Sequence, residues 1–190
     1  MIQYCLEKWD KNCKNLENII RQDALINECE YDYLVNLVVI HILNDGEDIS
    51  KKSDMDIFDL LKTREADNKY LWDNGKISMI NDGTWQGTLL FLIPRNEGGG
   101  YPAEYDYLMT YVDYGSCSGC DTLQGIQLQA LDYFYQKNRD NTSQCPIERQ
   151  VKEYMMLCKD IVSNMIRPYN HGWRNEERFE QVEVDVMKEE

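Results

Sequence analysis

Between Arg95 and Lys137 the sequence contains no lysine or arginine. Over 190 residues the formal charge is −14, from 34 Asp and Glu against 20 Lys and Arg. Attraction to phosphate backbones or anionic lipid needs clustered cations, so this balance argues against direct DNA, RNA or membrane-surface binding. No apolar run reaches the roughly eighteen residues of a membrane-spanning helix, and none is expected. The opening "MIQYCLEKWDKNCKN" lacks the basic leader and apolar core of a secretory signal, which makes a cytoplasmic protein the expectation. Histidine occurs only twice, at 41 and 171, leaving few bases to activate a nucleophile. Repeats, low-complexity tracts and linker-like segments are missing as well. Residues 1–190 therefore read as a single domain, long enough to bury a substantial core.

What is present is ordinary in bulk and unusual in detail. Apolar residues make up 43% and charged residues 28%, values that place the chain among globular proteins. Thirteen tyrosines stand against four phenylalanines, a bias toward amphipathic contact surfaces over a purely apolar interior. The seven cysteines, at 5, 13, 29, 117, 120, 145 and 158, are an odd number, and reduced thiols in a cytoplasm are the simplest reading.

Periodicity divides the chain into helical ends and a strand-rich middle. Residues 3–22 and 28–44 read as helices, and the second closes on "NDG", with Gly46 available for a left-handed turn. "SDMDIFDLLKTRE" reads as a third helix capped by Ser53 or Asp54, which completes a helical N-terminal part over 1–66. "NKYLW", "KISMI", "TWQGTLLFLIP" and "AEYDYLMTYVDY", separated by "DNG", "NDG" and "RNEGGGYP", predict a four-stranded antiparallel meander over 69–114. Within it Trp85, Leu89, Phe91 and Ile93 are expected on one face, against the helices. Helices from about 121 to 137 and from 146 to 166 follow, within 121–166. Alternating valines at 182, 184 and 186 suggest a fifth, edge strand over 178–187. Segregated helices and strands predict an α+β fold: a four- to five-stranded antiparallel sheet packed on N- and C-terminal helices.

"YVDYGSCSGCDTLQG", residues 111–125, carries the most chemistry. It reads as strand, tight turn, then a helix opened by a D-x-x-Q pattern at Asp121 and Gln124. Cys117 and Cys120 thus stand where backbone N–H groups favour a thiolate. A redox pair has that placement but lacks a preceding βαβ unit. Structural zinc needs four ligands. Only one C-x-x-C occurs, so Cys145 or His171 would have to join Cys117 and Cys120. A Cys–His enzyme would need His171, since His41 lies inside an apolar helix. The plain alternative is a pair of small buried cysteines at a strand-to-helix corner, with Gly115 and Gly119 supplying unusual backbone angles. No catalytic residue is assigned, and no cofactor is required, with zinc the one that the thiols would take.

The cation-free interval also holds Glu104, Asp106, Tyr107, Asp113, Tyr114 and Asp121. An anionic, tyrosine-rich surface suits a protein partner with a basic or nucleic-acid-binding face, so these six residues are the candidate partner-binding set.

"WQGTLLFLI…EYDYLMTYVDYGSCSGCDTLQ" resembles a segment of small phage and mobile-element proteins, over about 40 of the 190 residues. The likeness rests mainly on "YGSCSGCDTLQ", residues 114–124, and carries no activity or residue role with it. It implies a context: an acidic cytoplasmic inhibitor of a host nucleic-acid-handling or defence complex, anti-CRISPR-like, with carboxylates in place of phosphates. A zinc- or thiol-dependent protein, either a structural zinc site or a small hydrolase or nuclease built on the CSGC turn, is the alternative.

Overall fold

A computed structural model of the chain describes residues 2–64, 70–98, 106–137 and 147–166. The α+β class is as expected: helices flank an antiparallel four-stranded sheet. Helix α1, Ile2–Gln22, buries Cys5, Trp9, Leu16 and Ile20, a stripe at helical spacing. Helix α2, Tyr31–Val38, is apolar on most sides and runs directly into a π-helical turn, Val39–Leu43. The wider turn shows in the Asn44 N–H, which donates to the Val39 carbonyl five residues back at 2.9 Å. Asp45 (φ 58°) and Gly46 (φ 93°) then reverse the chain, so the expected left-handed stop recruits a non-glycine residue as well.

Helix α3, Asp54–Thr63, starts at a full capping box: Ser53 Oγ accepts from the Asp56 N–H, and the Asp56 carboxylate accepts from the Ser53 N–H. Helix α4, Thr122–Lys137, and helix α5, Ile147–Ser163, complete the helical layer. On α5, Val151, Tyr154, Leu157, Cys158, Ile161 and Val162 form the buried stripe that packs on α1, α2 and α4.

Strands β1 (Leu71–Trp72), β2 (Ser78–Asn81), β3 (Gly87–Asn96) and β4 (Tyr107–Tyr114) make the sheet. All pairings are antiparallel, but β1 does not neighbour β2. Both pair with β3, β1 at Arg95–Asn96 and β2 at Leu89–Leu92, while β4 pairs with β3 along Gly87–Pro94. The "DNG" expected as a hairpin is instead a 3-10 turn, Asn74–Lys76, that interrupts a single edge. The reason is tertiary. The Asn74 Oδ1 accepts the Ile49 and Ser50 N–H groups at 2.8 and 3.2 Å, drawing the turn onto the segment before α3. Nearby, the Asn44 amide brackets Trp72, donating to its carbonyl at 2.8 Å and accepting its N–H at 2.9 Å. A buried side chain there completes backbone pairing that no strand supplies.

The inner sheet face, Leu89, Phe91 and Ile93 with Leu108 and Val112, closes the core against α1, α2 and α5. Each such side chain contributes about 1.5–3 kcal/mol by leaving water. Phe91→Ala would remove about 3–5 kcal/mol, since Phe91 is fully buried. Trp85, expected on this face, is not on it: it lies in the β2–β3 loop and is 78% exposed. Two sequence expectations, the helix start at Pro146 and the edge strand over 178–187, fall outside the described residues. Among the described residues no helix is long and apolar enough to cross a membrane.

Candidate functional site

Register decides which side chains of the sheet point away from the core, because paired residues share a face. Across β2, β3 and β4 the outward rows are Ile80–Leu90–Tyr111 and Ser78–Leu92–Met109. Thr88–Asp113 extends this face toward the hairpin and Pro94–Tyr107 toward the far end. Ile80 is 51% and Tyr111 37% exposed on it, and the β2–β3 loop at one end of these strands carries Trp85. Met79 pairs with Phe91 on the opposite row and is exposed there, because β2 is an edge strand. Strand β2 is exposed along its whole length.

The loop that carries Trp85 is itself well built. The Asp82 carboxylate accepts the Thr88 N–H at 2.6 Å, and Asn81 Oδ1 accepts the Gly83 N–H at 2.9 Å. Gly83 and Gly87 lie back to back, each leaving no room for a Cβ beside the other's backbone. A tightly tied loop holding an exposed indole presents that ring at little entropic loss on binding.

The six residues expected to meet a partner divide sharply. Asp113 is exposed on the outer face, where its carboxylate accepts from Thr88 Oγ1 at 2.8 Å. Tyr107 is half-buried on the same face. Tyr114 alternates to the other side, packs at the core margin and donates its hydroxyl to Asn81 Oδ1 at 2.7 Å. Asp106 and Asp121 are buried. Asp106 pairs with Arg95 at 2.7 Å, so the cation at the N-terminal border of the anionic interval is held by an internal carboxylate. Asp121 caps α4, its Oδ1 accepting the Gln124 N–H at 2.8 Å and its Oδ2 the Gly115 N–H at 3.1 Å. Their charge serves the fold, since a carboxylate between several N–H or guanidinium donors is already satisfied. Glu104 lies outside the described residues.

The thiol corner joins β4 to α4. The Cys117 carbonyl accepts the N–H groups of Cys120 and Asp121 at 2.9 and 2.8 Å, closing a tight turn over 117–120. Both cysteines are exposed, not buried, and their sulfurs stand 3.1 Å apart as free thiols. That distance is a contact and is well beyond a disulfide bond. The Cys120 thiol is drawn below the ordinary cysteine range, first by its hydrogen bond with the Cys117 thiol, while burial works in the opposite sense. By contrast burial pushes the Cys5 and Cys158 thiols up to about 12, which keeps them protonated.

The two glycines of the corner serve another purpose than expected. Neither has a positive φ; the positive-φ glycines among the described residues are Gly46 and Gly98. Gly115 is required by contact, because a Cβ there would lie 2.4 Å from the Cys120 carbonyl oxygen and 2.6 Å from its sulfur. A Cβ at Gly119 would make only an ordinary contact, 3.8 Å from the Cys117 sulfur.

The proposed third ligands, Cys145 and His171, lie outside the described residues. Among the described residues no three His, Cys, Asp or Glu side chains converge to hold a metal ion. His41 sits half-buried in the π-turn, where burial lowers its pKa and favours the neutral ring.

Sequence reasoning missed Trp85 and Ile80 as exposed residues. A signal was available in part: the β2–β3 loop, residues 82–86, is five residues long, three more than a two-residue turn, which leaves Trp85 in the loop. No family model, curated protein or solved structure matches this chain.

Proposed function

We propose that this is an interaction protein, and that its docking surface is the outer face of β2, β3 and β4 together with the Trp85 loop. The observation that carries the reading is the in-register row Ile80–Leu90–Tyr111, exposed at Ile80 and Tyr111, with the exposed Trp85 in the loop that joins β2 to β3. Apolar and aromatic side chains at the centre with a charged margin are the usual anatomy of a contact surface. The occupant is a protein presenting a basic rim. Charge complementarity supports this choice, because the exposed ionic groups bordering the row, Asp82 and Asp113, are both acidic and no Lys or Arg lies between Lys76 and Arg95. Carboxylates in a phosphate-like array receive less support, since Asp106 and Asp121 are turned inward. The phage-inhibitor reading of a nucleic-acid-handling partner, in a reducing cytoplasm, fits the same face by way of its anionic margin.

Nuclease-treated host lysate passed over immobilised protein tests the proposal. A basic partner should be retained, released as salt is raised, and lost with Trp85→Ala or Ile80→Lys. Met156→Lys, at an exposed site on α5, should leave retention unchanged. Equal retention by all three variants would sink the proposal.

A further inference from the structure

We propose that Cys117 and Cys120 form a dithiol site that exchanges with small, positively charged disulfides and closes reversibly to an intramolecular disulfide. Two exposed sulfurs 3.1 Å apart need to approach by only about 1 Å to reach bonding distance. Their backbones already permit it. The hydrogen bond from the Cys120 N–H to the Cys117 carbonyl fixes a turn whose terminal Cα atoms lie within about 7 Å, inside the span a disulfide bridges. The remaining described cysteines have no such neighbour and are buried or only partly exposed.

Beside the pair is a solvent-open pocket of about 300 Å³. Cys120 lines it with Ser118, Thr122, Gln129, Glu153 and the capping Asp121. Cys120 is therefore the entry sulfur, and Cys117, outside the lining, is the resolving one. The ionic groups of the lining are Asp121, held by the Gly115 and Gln124 N–H groups, and Glu153, which pairs with Arg149 at 2.9 Å. The formal charge of −14, with no Lys or Arg between Arg95 and Lys137, favours an amine-bearing disulfide over a carboxylate-bearing one of equal size.

The exchange balances without another reactant. The Cys120 thiolate, its proton given to solvent, attacks one sulfur of R–S–S–R; the reagent's S–S bond breaks and RS⁻ leaves, taking a proton. The Cys117 thiolate then attacks the Cys120 sulfur and expels the second RS⁻. The protein is oxidised by two electrons and the small disulfide is reduced to two RSH. A disulfide formed in so exposed and short a loop is readily reduced again, which suits reversible chemistry.

Intact-mass analysis of the full chain after incubation with cystamine, followed by alkylation and peptide mapping, tests this. The expected product has lost two hydrogens and carries a Cys117–Cys120 link. Cys117→Ser should stop at a single cysteamine adduct on Cys120. Dithiodiglycolate, the anionic counterpart, should react about tenfold more slowly with the unmodified chain. A stable adduct on the unmodified chain, a link between other cysteines, or unreacted Cys117 and Cys120 would overturn the dithiol site. Equal rates with the two reagents would overturn its preference for cationic disulfides.

Discussion

The phenol of Tyr31 links two distant segments: its Oη donates to Asp121 Oδ1 at 3.2 Å and accepts the Leu123 N–H at 3.2 Å. One hydroxyl at the start of α2 thereby fixes the start of α4 and, through Asp121, the thiol corner. Burial, the largest influence, and the neighbouring Asp121 push the Tyr31 phenol up to about 12, so it remains a donor at neutral pH.

Tyr31→Phe should therefore lower stability by about 1–2 kcal/mol, leaving Asp121 short of one donor. Asp121→Ala should do more, since it removes the cap of α4 and the acceptor of the Gly115 N–H together. Urea denaturation checks both. Equal losses in the two variants would show that the cap contributes nothing beyond the phenol bond.

At the corner, Gly115→Ala should destabilise by about 1–3 kcal/mol, because backbone atoms of Cys120 occupy the space of the new methyl. Gly119→Ala, where the new methyl meets only the Cys117 sulfur at an ordinary 3.8 Å, should stay within about 0.5 kcal/mol. Thermal melting distinguishes them, and similar melting temperatures would refute the contact explanation.

Lys8 reaches Asp45 at 2.6 Å with its side chain 7% exposed, and Arg64 joins the same carboxylate at 3.3 Å. Burial lowers the Lys8 pKa, while the carboxylate works in the other direction. Asp45→Ala should cost about 3–5 kcal/mol, since it strands the buried Lys8 ammonium and puts alanine at a left-handed backbone position. Lys8→Met, apolar and of similar length, should cost much less. The two midpoints in urea report the difference directly.

Acid should expose a second ionic device. Burial alone would raise the Asp48 pKa, but bonds from Lys51, Ser50 and Asn74 outweigh it and hold the group at about 2. A depressed carboxylate stabilises the fold above its unfolded pKa of about 3.9, and that contribution disappears as the pH falls through the folded value. Stability should thus drop by about 2 kcal/mol between roughly pH 5 and pH 2 on account of this group. Asp48→Asn should flatten that limb of the stability–pH curve; an unchanged slope would assign the acid sensitivity elsewhere.

Local signals read correctly were those whose physics is local. The cap of α3, expected at Ser53 or Asp54 and found at Ser53, the Asp121 cap and the helical spacing of α1 and α5 need only neighbours in the chain. The "DNG" turn failed as a hairpin because Asn74 finds Ile49 and Ser50, twenty-five and twenty-four residues away, and no window of sequence contains that contact. The corner was legible as a strand-to-helix turn, yet its cysteines were expected inside and lie outside. Exposure there follows from what packs over the turn, and cysteine itself is compatible with either place.

By itself, then, the sequence determined the α+β class, the starts of α3 and α4 and the anionic, cation-free interval, since composition, caps and period act over short range. Only the tertiary structure decided how those charges and rings are used. Long-range packing turned Asp106 and Asp121 inward, where buried carboxylates must find donors, and left Ile80, Tyr111 and Trp85 outward. It also brought the sulfurs of Cys117 and Cys120 to 3.1 Å, a distance fixed by the Gly115 contact and the closed turn.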